Sequence, residues 1–289
     1  MFSPRQPYNV PIASGGVLRL GDRPLVMGIL NVTPDSFAER RPLDRDGAVE
    51  AALRMEAEGA DLLDVGGEST RPGAAPVPAD EELARVLPVI QALAGRVHIP
   101  ISIDTYKSSV ARACLAEGAA IVNDVSGLRR DDALAEVAAA AGAALVLTHS
   151  RGRSDAMYDE ARYADIIDDV VAELEASMER ASSRSVAREC LILDPGIGFA
   201  KRAAHSYGVL ARLPELAARL GRPLLVGPSR KSFMSEALDR RPAIERDWGT
   251  AAAVTAAVLG GAQIVRVHAV GEMVQVVRVA EQIRRGSQL

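Results

Sequence analysis

Two cysteines in 289 residues are too few for a disulfide framework. Cys114 and Cys190 sit in helix-like and strand-edge contexts without metal-ligand spacing, so they read as small buried hydrophobes in a reducing compartment. No apolar run reaches the roughly 18 residues a membrane-spanning helix needs. The opening residues, MFSPRQPYNV, lack the apolar stretch of an export signal, so a cytoplasmic location is expected. Basic excess is absent too. Lys and Arg number 34 against 38 Asp and Glu, a formal net charge of −4, which argues against sequence-independent nucleic-acid binding. Neither a G-x-G-x-x-G fingerprint nor a Walker phosphate loop is present, so nucleotide binding on those schemes is unsupported.

What is present is a repeated alternation. After a hairpin-like start at VLRL-GDRP (17–24), short β-branched runs alternate with longer helical segments rich in Ala, Leu, Glu and Arg. The runs fall at 24–30, 61–65, 99–103, 119–123, 143–148, 191–194, 223–227 and 263–267. The helical segments lie near 44–58, 80–94, 107–117, 131–141, 160–187, 203–220, 229–260 (broken) and 270–285. Asp44 and Asp80 are helix-start signals, and Gly95, Gly118, Gly142 and Gly221 stand where helices should stop. Strands alternating with helices imply parallel pairing, and near-continuous apolarity fits strands covered on both faces. Eight such units predict a single (β/α)₈ barrel domain over residues 1–289, with a short N-terminal β-hairpin.

Polar residues then follow the carboxyl end of every run: Asn31, Asp64, Asp104, Asn123-Asp124, His149, Asp194, the PSRKS stretch after Gly227, and Arg266 with His268. Turns of the opposite sense are mostly Gly, Ala and Pro, as in AEGAD, AAGAAL and LGRP. That asymmetry predicts one active-site mouth at the carboxyl rim. Taken singly, Asp64, Asp104 and Asp124 read equally well as helix caps, Asp194-Pro195-Gly196 as a turn, and His149 as a structural histidine. Arg266 and His268 resist such readings, because a buried arginine demands a partner. Lys231, Arg266, His268 and Arg71 supply positive charge, while Asp104, Asn123 and Asp194 offer acceptors and an amide. The ligand inferred from these groups is a flat, nitrogen-rich ring below and a phosphate-like anion above.

The motifs MGILNVTPDSF, GADLLDVGGESTRPGA, ISIDTYK, IVNDVSG, LDPGIGF, VGPSRKSF, GTAAAV and IVRVHAV occur in this order. Over about residues 15–285 they resemble the dihydropteroate synthase family of pterin-binding enzymes. The resemblance implies a (β/α)₈ barrel, Mg²⁺, a homodimer, a place in a family that is a sulfonamide target, and small-molecule substrates with neither nucleic acid nor membrane as partner. The implied transferase reaction joins p-aminobenzoate to 6-hydroxymethyl-7,8-dihydropterin pyrophosphate and releases pyrophosphate. It assigns Asp104, Asn123, Asp194, Phe199, Gly227 and Lys231 to the pterin. Arg266 stacks on the ring and meets the pyrophosphate with His268 and Asn31, and Asn31 also ligates the metal. Loops over the site contribute Asp35 and Phe37, then Thr70, Arg71 and Pro72. Ser232, at the start of the following helix, meets the p-aminobenzoate carboxylate. On this resemblance Asp35, Arg71, Asp104, Lys231, Arg266 and His268 carry the chemistry.

The sequence departs from the family pattern at several places. Ala38-Glu39-Arg40-Arg41 replaces a glycine-containing stretch, and Ala269 stands where an Asp is usual. Thr148 and Ser150 flank His149 in place of methionines, which predicts a more polar pocket wall. Two other readings share the scaffold: a pterin-binding methyltransferase, which has no use for SRKS and RVH around a pyrophosphate, and a non-catalytic binding paralogue.

Overall fold

A computed structural model describes residues 5–33, 44–69, 71, 73–152 and 158–286. It opens with a hairpin of β1 (Tyr8–Pro11) and β2 (Val17–Leu20), paired antiparallel from Tyr8 opposite Leu20 to Pro11 opposite Val17. The partner of VLRL therefore precedes it, and residues 21–24 lead into the barrel instead of returning along the hairpin.

Eight parallel strands follow: β3 (Leu25–Asn31), β4 (Leu62–Gly66), β5 (Ile101–Asp104), β6 (Ile121–Asp124), β7 (Ala144–Thr148), β8 (Leu191–Asp194), β9 (Leu225–Val226) and β10 (Ile264–Val267). Their order is β8-β7-β6-β5-β4-β3-β10-β9, and a bridge between Leu193 and Leu224 joins the two ends into a barrel. The helices are α1 (Arg45–Ala57), α2 (Ala79–Leu93), α3 (Ser108–Ala116), α4 (Ala133–Ala141), α5 (Ile166–Ser183), α6 (Ala203–Ala211), α7 (Leu213–Leu220), α8 (Asp247–Leu259) and α9 (Val270–Gly286). Because helices cover the outside and side chains fill the inside, the strands bury both faces; all five residues of β4 and of β7 are buried. Met27, Leu62, Ile103, Ile121 and Leu145 are fully enclosed. Each such side chain contributes roughly 2 kcal/mol of transfer free energy.

Local chemistry sets the element ends. Asp44 caps α1 by accepting from the Gly47 N–H, as its position predicted. Gly142 ends α4 in the left-handed conformation, φ 62°. Asp80 does not cap α2: Pro78 occupies that position, and Asp80 lies in the first turn with Glu81 and Glu82, where carboxylates oppose the helix dipole favourably. The expected helix at 160–187 begins only at Ile166, where Asp165 accepts from the N–H groups of Ile167 and Asp168. The segment 203–220 breaks at Arg212, whose φ of −107° leaves the helical region just before Pro214. Within 229–260 only α8 is a full α-helix, because Asp239 and Arg240 take positive φ and Pro242 follows.

The hairpin lies against the amino end of the barrel. The Ala13 N–H donates to the Ala120 carbonyl just before β6, and Val10, Leu18 and Leu20 join the core. Arg5 pins the chain start across to α9, with Nη1 2.7 Å from Glu281 and further bonds to the Ala262 and Val258 carbonyls. Access therefore concentrates at the carboxyl rim.

Gly196, in the loop after β8, has φ 68°, and an added Cβ would stand 1.9 Å from the His149 carbonyl oxygen. Gly196→Ala is expected to lower the free energy of unfolding by at least about 3 kcal/mol in urea titrations, since it combines overlap with backbone strain. A loss under about 1 kcal/mol would show that this loop yields easily.

Candidate active site

The strand register builds the site. Arg266 on β10 lies beside Met27 of β3, Ile29 of β3 beside Asp64 of β4, and Gly66 of β4 beside Asp104 of β5; Asp104 in turn neighbours Asn123 of β6. The Arg266 guanidinium crosses this arc. Its Nε donates to Asp64 Oδ2 at 2.6 Å and its Nη2 to Asp104 Oδ2 at 2.7 Å. Asn123 Nδ2 donates to the same Asp64 oxygen at 2.9 Å. Burial works against the Arg266 charge, but Asp64 and Asp104 outweigh it and hold its pKa up. Burial pushes the Asp104 carboxyl up to about 8, with Arg266 opposing. The arginine that seemed to need an outside anion thus carries its own two carboxylates.

On the opposite wall, Lys231 Nζ donates to the Ile197 carbonyl at 2.6 Å and lies 4.2 Å over the Phe199 ring. Burial brings its pKa down to about 8, against the pull of Asp194. Asp194 accepts the Gly196 N–H at 2.7 Å, and burial raises its pKa although Lys231 counters. A cavity of about 540 Å³ opens between these walls. Among the residues expected in the site, Asn31, Arg71, Asp104, Phe199, Gly227, Lys231, Ser232, Arg266 and His268 all line it. Asn123 and Asp194 are not among the lining residues and are buried, 3% and 5% exposed, Asn123 against Asp64 and Asp194 beside Lys231 and Arg266. Asn123 Oδ1 has no hydrogen-bond partner among the described residues, an acceptor left over at the floor. Asp35, Phe37, Thr70, Pro72 and Ala38 to Arg41 lie outside the described residues.

Two expectations need correction. Ser232 does not begin an α-helix: Ser232–Met234 is one 3₁₀ turn, too short for a helix dipole, and the next α-helix is α8. Its Oγ instead lies 3.1 Å from the Tyr158 hydroxyl across the cavity. Arg230 grips Asp247 with Nε and Nη2, both at 2.7 Å. Thr148 and Ser150 are not among the residues that line this cavity, and Thr148 is buried at 2% exposure.

Sequence reasoning underrated Asp64, read as an even choice between a capping or structural role and a functional one. A carboxylate inside the apolar run LLDV was the available signal. It missed Glu68 and Tyr158 on the cavity wall, and the cluster behind β7 and β8. There Lys201, 1% exposed, donates to His149 Nδ1 at 2.7 Å, and His149 Nε2 faces Glu173 at 3.3 Å. Glu173 also takes Arg151 Nε at 2.7 Å and pairs with Arg129. No local signal joins residues so far apart in the chain. Asp124, by contrast, is a turn residue, accepting the Ser126 and Leu128 N–H groups at 2.8 and 2.5 Å.

The arrangement can seat a planar ring whose N–H edge meets carboxylates and an amide, beside Phe199 and Lys231. Above it, Arg266, His268, Asn31 and Arg71 can meet an anion.

Comparison with known proteins follows the same line. Residues 27–268 match the family described as pterin binding enzyme. The chain is 47% identical over 266 residues to a dihydropteroate synthase of Synechocystis sp., covering 92% of each. A solved dihydropteroate synthase of Yersinia pestis, in complex with a sulfonamide drug, superposes with a TM-score of 0.90 at 42% identity, covering 94% of this chain and 98% of that one. One from Burkholderia cenocepacia, complexed with 7,8-dihydropteroate, superposes with a TM-score of 0.87 at 41% identity, covering 98% of both.

Burial and the neighbouring Lys201 keep His149 neutral down to about 3, against its model-compound value of 6.5. The unfolded chain therefore takes up this proton first as pH falls, and the stability it represents is present above 6.5 and lost toward 3. Urea titrations across that range should show stability falling with acid, and His149→Gln should flatten the slope. An unchanged slope in the variant would remove His149 as its source.

Proposed function

The chain belongs to the pterin-binding enzyme family, and from that premise we propose how its cavity carries out dihydropteroate synthase chemistry: the amine of p-aminobenzoate displaces pyrophosphate from 6-hydroxymethyl-7,8-dihydropterin pyrophosphate, giving 7,8-dihydropteroate. The observation that carries the reading is a cavity lined by Asp104, Lys231, Arg266 and His268, whose Arg266 is bridged to Asp64 and Asp104.

Asp194 and Asn123 hold the amino edge of the pterin, Asp104 and Lys231 its other polar atoms, and Phe199 and Gly227 its flank. Arg266 faces the ring and, with His268, meets the pyrophosphate. As the carbon–oxygen bond breaks, positive charge spreads into the pterin, and the carboxylates favour it, Asp35 included. Negative charge gathers on the leaving group, where donors already in place lower the barrier because they need no reorganisation. Ser232, Thr70, Arg71, Pro72 and Phe37 hold p-aminobenzoate. The aniline nitrogen is nucleophilic while neutral, so no strong base is required. Water excluded from the cavity cannot trap the cation.

Asn31 offers a hard carboxamide oxygen on the cavity wall, a donor suited to magnesium. Among the described residues no cluster of three His, Cys, Asp or Glu could hold a metal, and Asn31 would hold the ion with the substrate's pyrophosphate. When bound, magnesium supplies charge neutralisation at the leaving group. The drug seen in the Yersinia pestis protein makes sulfonamide binding part of this proposal. So is a homodimer, supported by Val279 and Ile283 exposed on α9 and Trp248 on α8, and action in the cytoplasm on dissolved substrates.

Purified protein mixed with Mg²⁺, the pterin pyrophosphate and p-aminobenzoate should release pyrophosphate and form dihydropteroate, and a chelator should stop it until Mg²⁺ is restored. Pterin binding without turnover would instead mark a binding protein. Asp194→Ala removes a buried charge-assisted acceptor and should weaken pterin binding by about 2–5 kcal/mol in calorimetry. Near-normal affinity would refute the assignment of the ring to this floor.

A further inference from the structure

His268 follows β10 and lines the cavity. Its ring Nδ1 lies 2.9 Å from Ser229 Oγ, and its own backbone N–H donates to that same oxygen at 3.2 Å. Ser229, in the loop after β9, is 4% exposed. A hydroxyl carries one proton and two acceptor sites. The backbone N–H can only donate, so it occupies one of the acceptor sites. Two ring tautomers then remain, and they leave different residues. With the proton on Nδ1, the ring is a second donor to Oγ, and the buried hydroxyl proton finds no acceptor among the described residues. With the proton on Nε2, the lone pair of Nδ1 takes the hydroxyl proton, the Ser229 hydroxyl and Nδ1 satisfy each other, and the Nε2–H is left for the cavity that His268 lines. Buried donors are rarely left unpaired, so the second arrangement prevails.

We infer that Ser229 is a positioning residue that holds His268 as the Nε2–H tautomer, so that a neutral imidazole presents a donor to the anion in the cavity. The inference rests on the proposed role of His268 toward the leaving pyrophosphate. Charge is not the ring's means of attraction: burial, with Arg230, Arg266 and Lys231 nearby, pushes its pKa well below the usual histidine value. A neutral ring in the other tautomer would turn a lone pair toward the anion and repel it. The chain position beside it is Ala269, whose methyl group cannot orient the ring, so Ser229 does this from the neighbouring strand end, 39 residues away.

Tautomers are read directly by two-bond ¹H–¹⁵N spectra of the full chain labelled at histidine. The four histidines are few enough to resolve, and His268→Asn identifies the signal. In the wild-type protein without substrates, His268 should show an unprotonated Nδ1 and a protonated Nε2. Ser229→Ala should mix the tautomers and lower kcat about tenfold, the size of one lost donor to a developing charge, while the KM for p-aminobenzoate stays unchanged. Ser229→Thr, which keeps the hydroxyl, should restore the wild-type spectrum and most of the rate. A protonated Nδ1 in the wild-type spectrum overturns the inference, and so does a Ser229→Ala spectrum identical to wild type. Should Ser229→Ala fail to fold, the wild-type spectrum decides alone. The spectrum needs no catalysis, so a protein with the Nε2–H tautomer but no pyrophosphate release would refute the proposed function and leave the positioning role standing.

Discussion

One guanidinium holds the carboxyl rim of the barrel together. Arg266 reaches from β10 to Asp64 on β4 and Asp104 on β5. Isolated in such a place, any of the three charges would be driven toward neutrality by desolvation. Together they satisfy one another, and the planar fork of arginine suits the task because it directs parallel N–H groups at two separate oxygens. Lysine, a single point charge on a flexible stem, could not span both carboxylates with the same geometry. Asn123 adds a second donor to Asp64, so the buried carboxylate is held from two sides.

That pairing shapes the proton affinities around the cavity. Asp104 and Lys231, of opposite charge type, are both brought to about 8 by burial, each resisted by a partner of opposite sign. Arg266 stays charged because two carboxylates face it, whereas burial, aided by cationic neighbours, pushes the His268 pKa well below the usual histidine value. The rim therefore meets an anion in two physically different ways, through a permanent charge and through an oriented dipole. Dihydropteroate synthase chemistry asks for both. The leaving group carries charge throughout, so fixed donors must favour its departure more than its resting state.

Closure at the other end matters as much. The hairpin against the amino ends of the strands, and the buried Arg5–Glu281 pair at 2.7 Å, occupy the face that the chemistry does not use. Behind β7 and β8, Lys201, His149 and Glu173 form a chain of charge and hydrogen bonds that fixes the loop carrying Gly196 and thus the carboxylate of Asp194.

The barrel itself was legible in the sequence. Parallel strands covered on both faces must be apolar throughout, and helices between them must carry their own start and stop residues. The mouth was legible for a related reason: polar groups such as Asn31, Asp104 and Arg266 are tolerated at strand ends only where a cavity or partner awaits them. The helix break at Arg212 was not, since it follows from a single backbone conformation that packing selects. Nor were the pairs that give the site its character. Arg266 meets Asp64 and Asp104 across 202 and 162 residues, and His268 meets Ser229 across 39. Residue types and their order determined which chemistry could occur and at which rim. Only the closed register of eight strands decided which charges share a hydrogen bond and which stand alone, because desolvation and pairing act through distance in space and not along the chain.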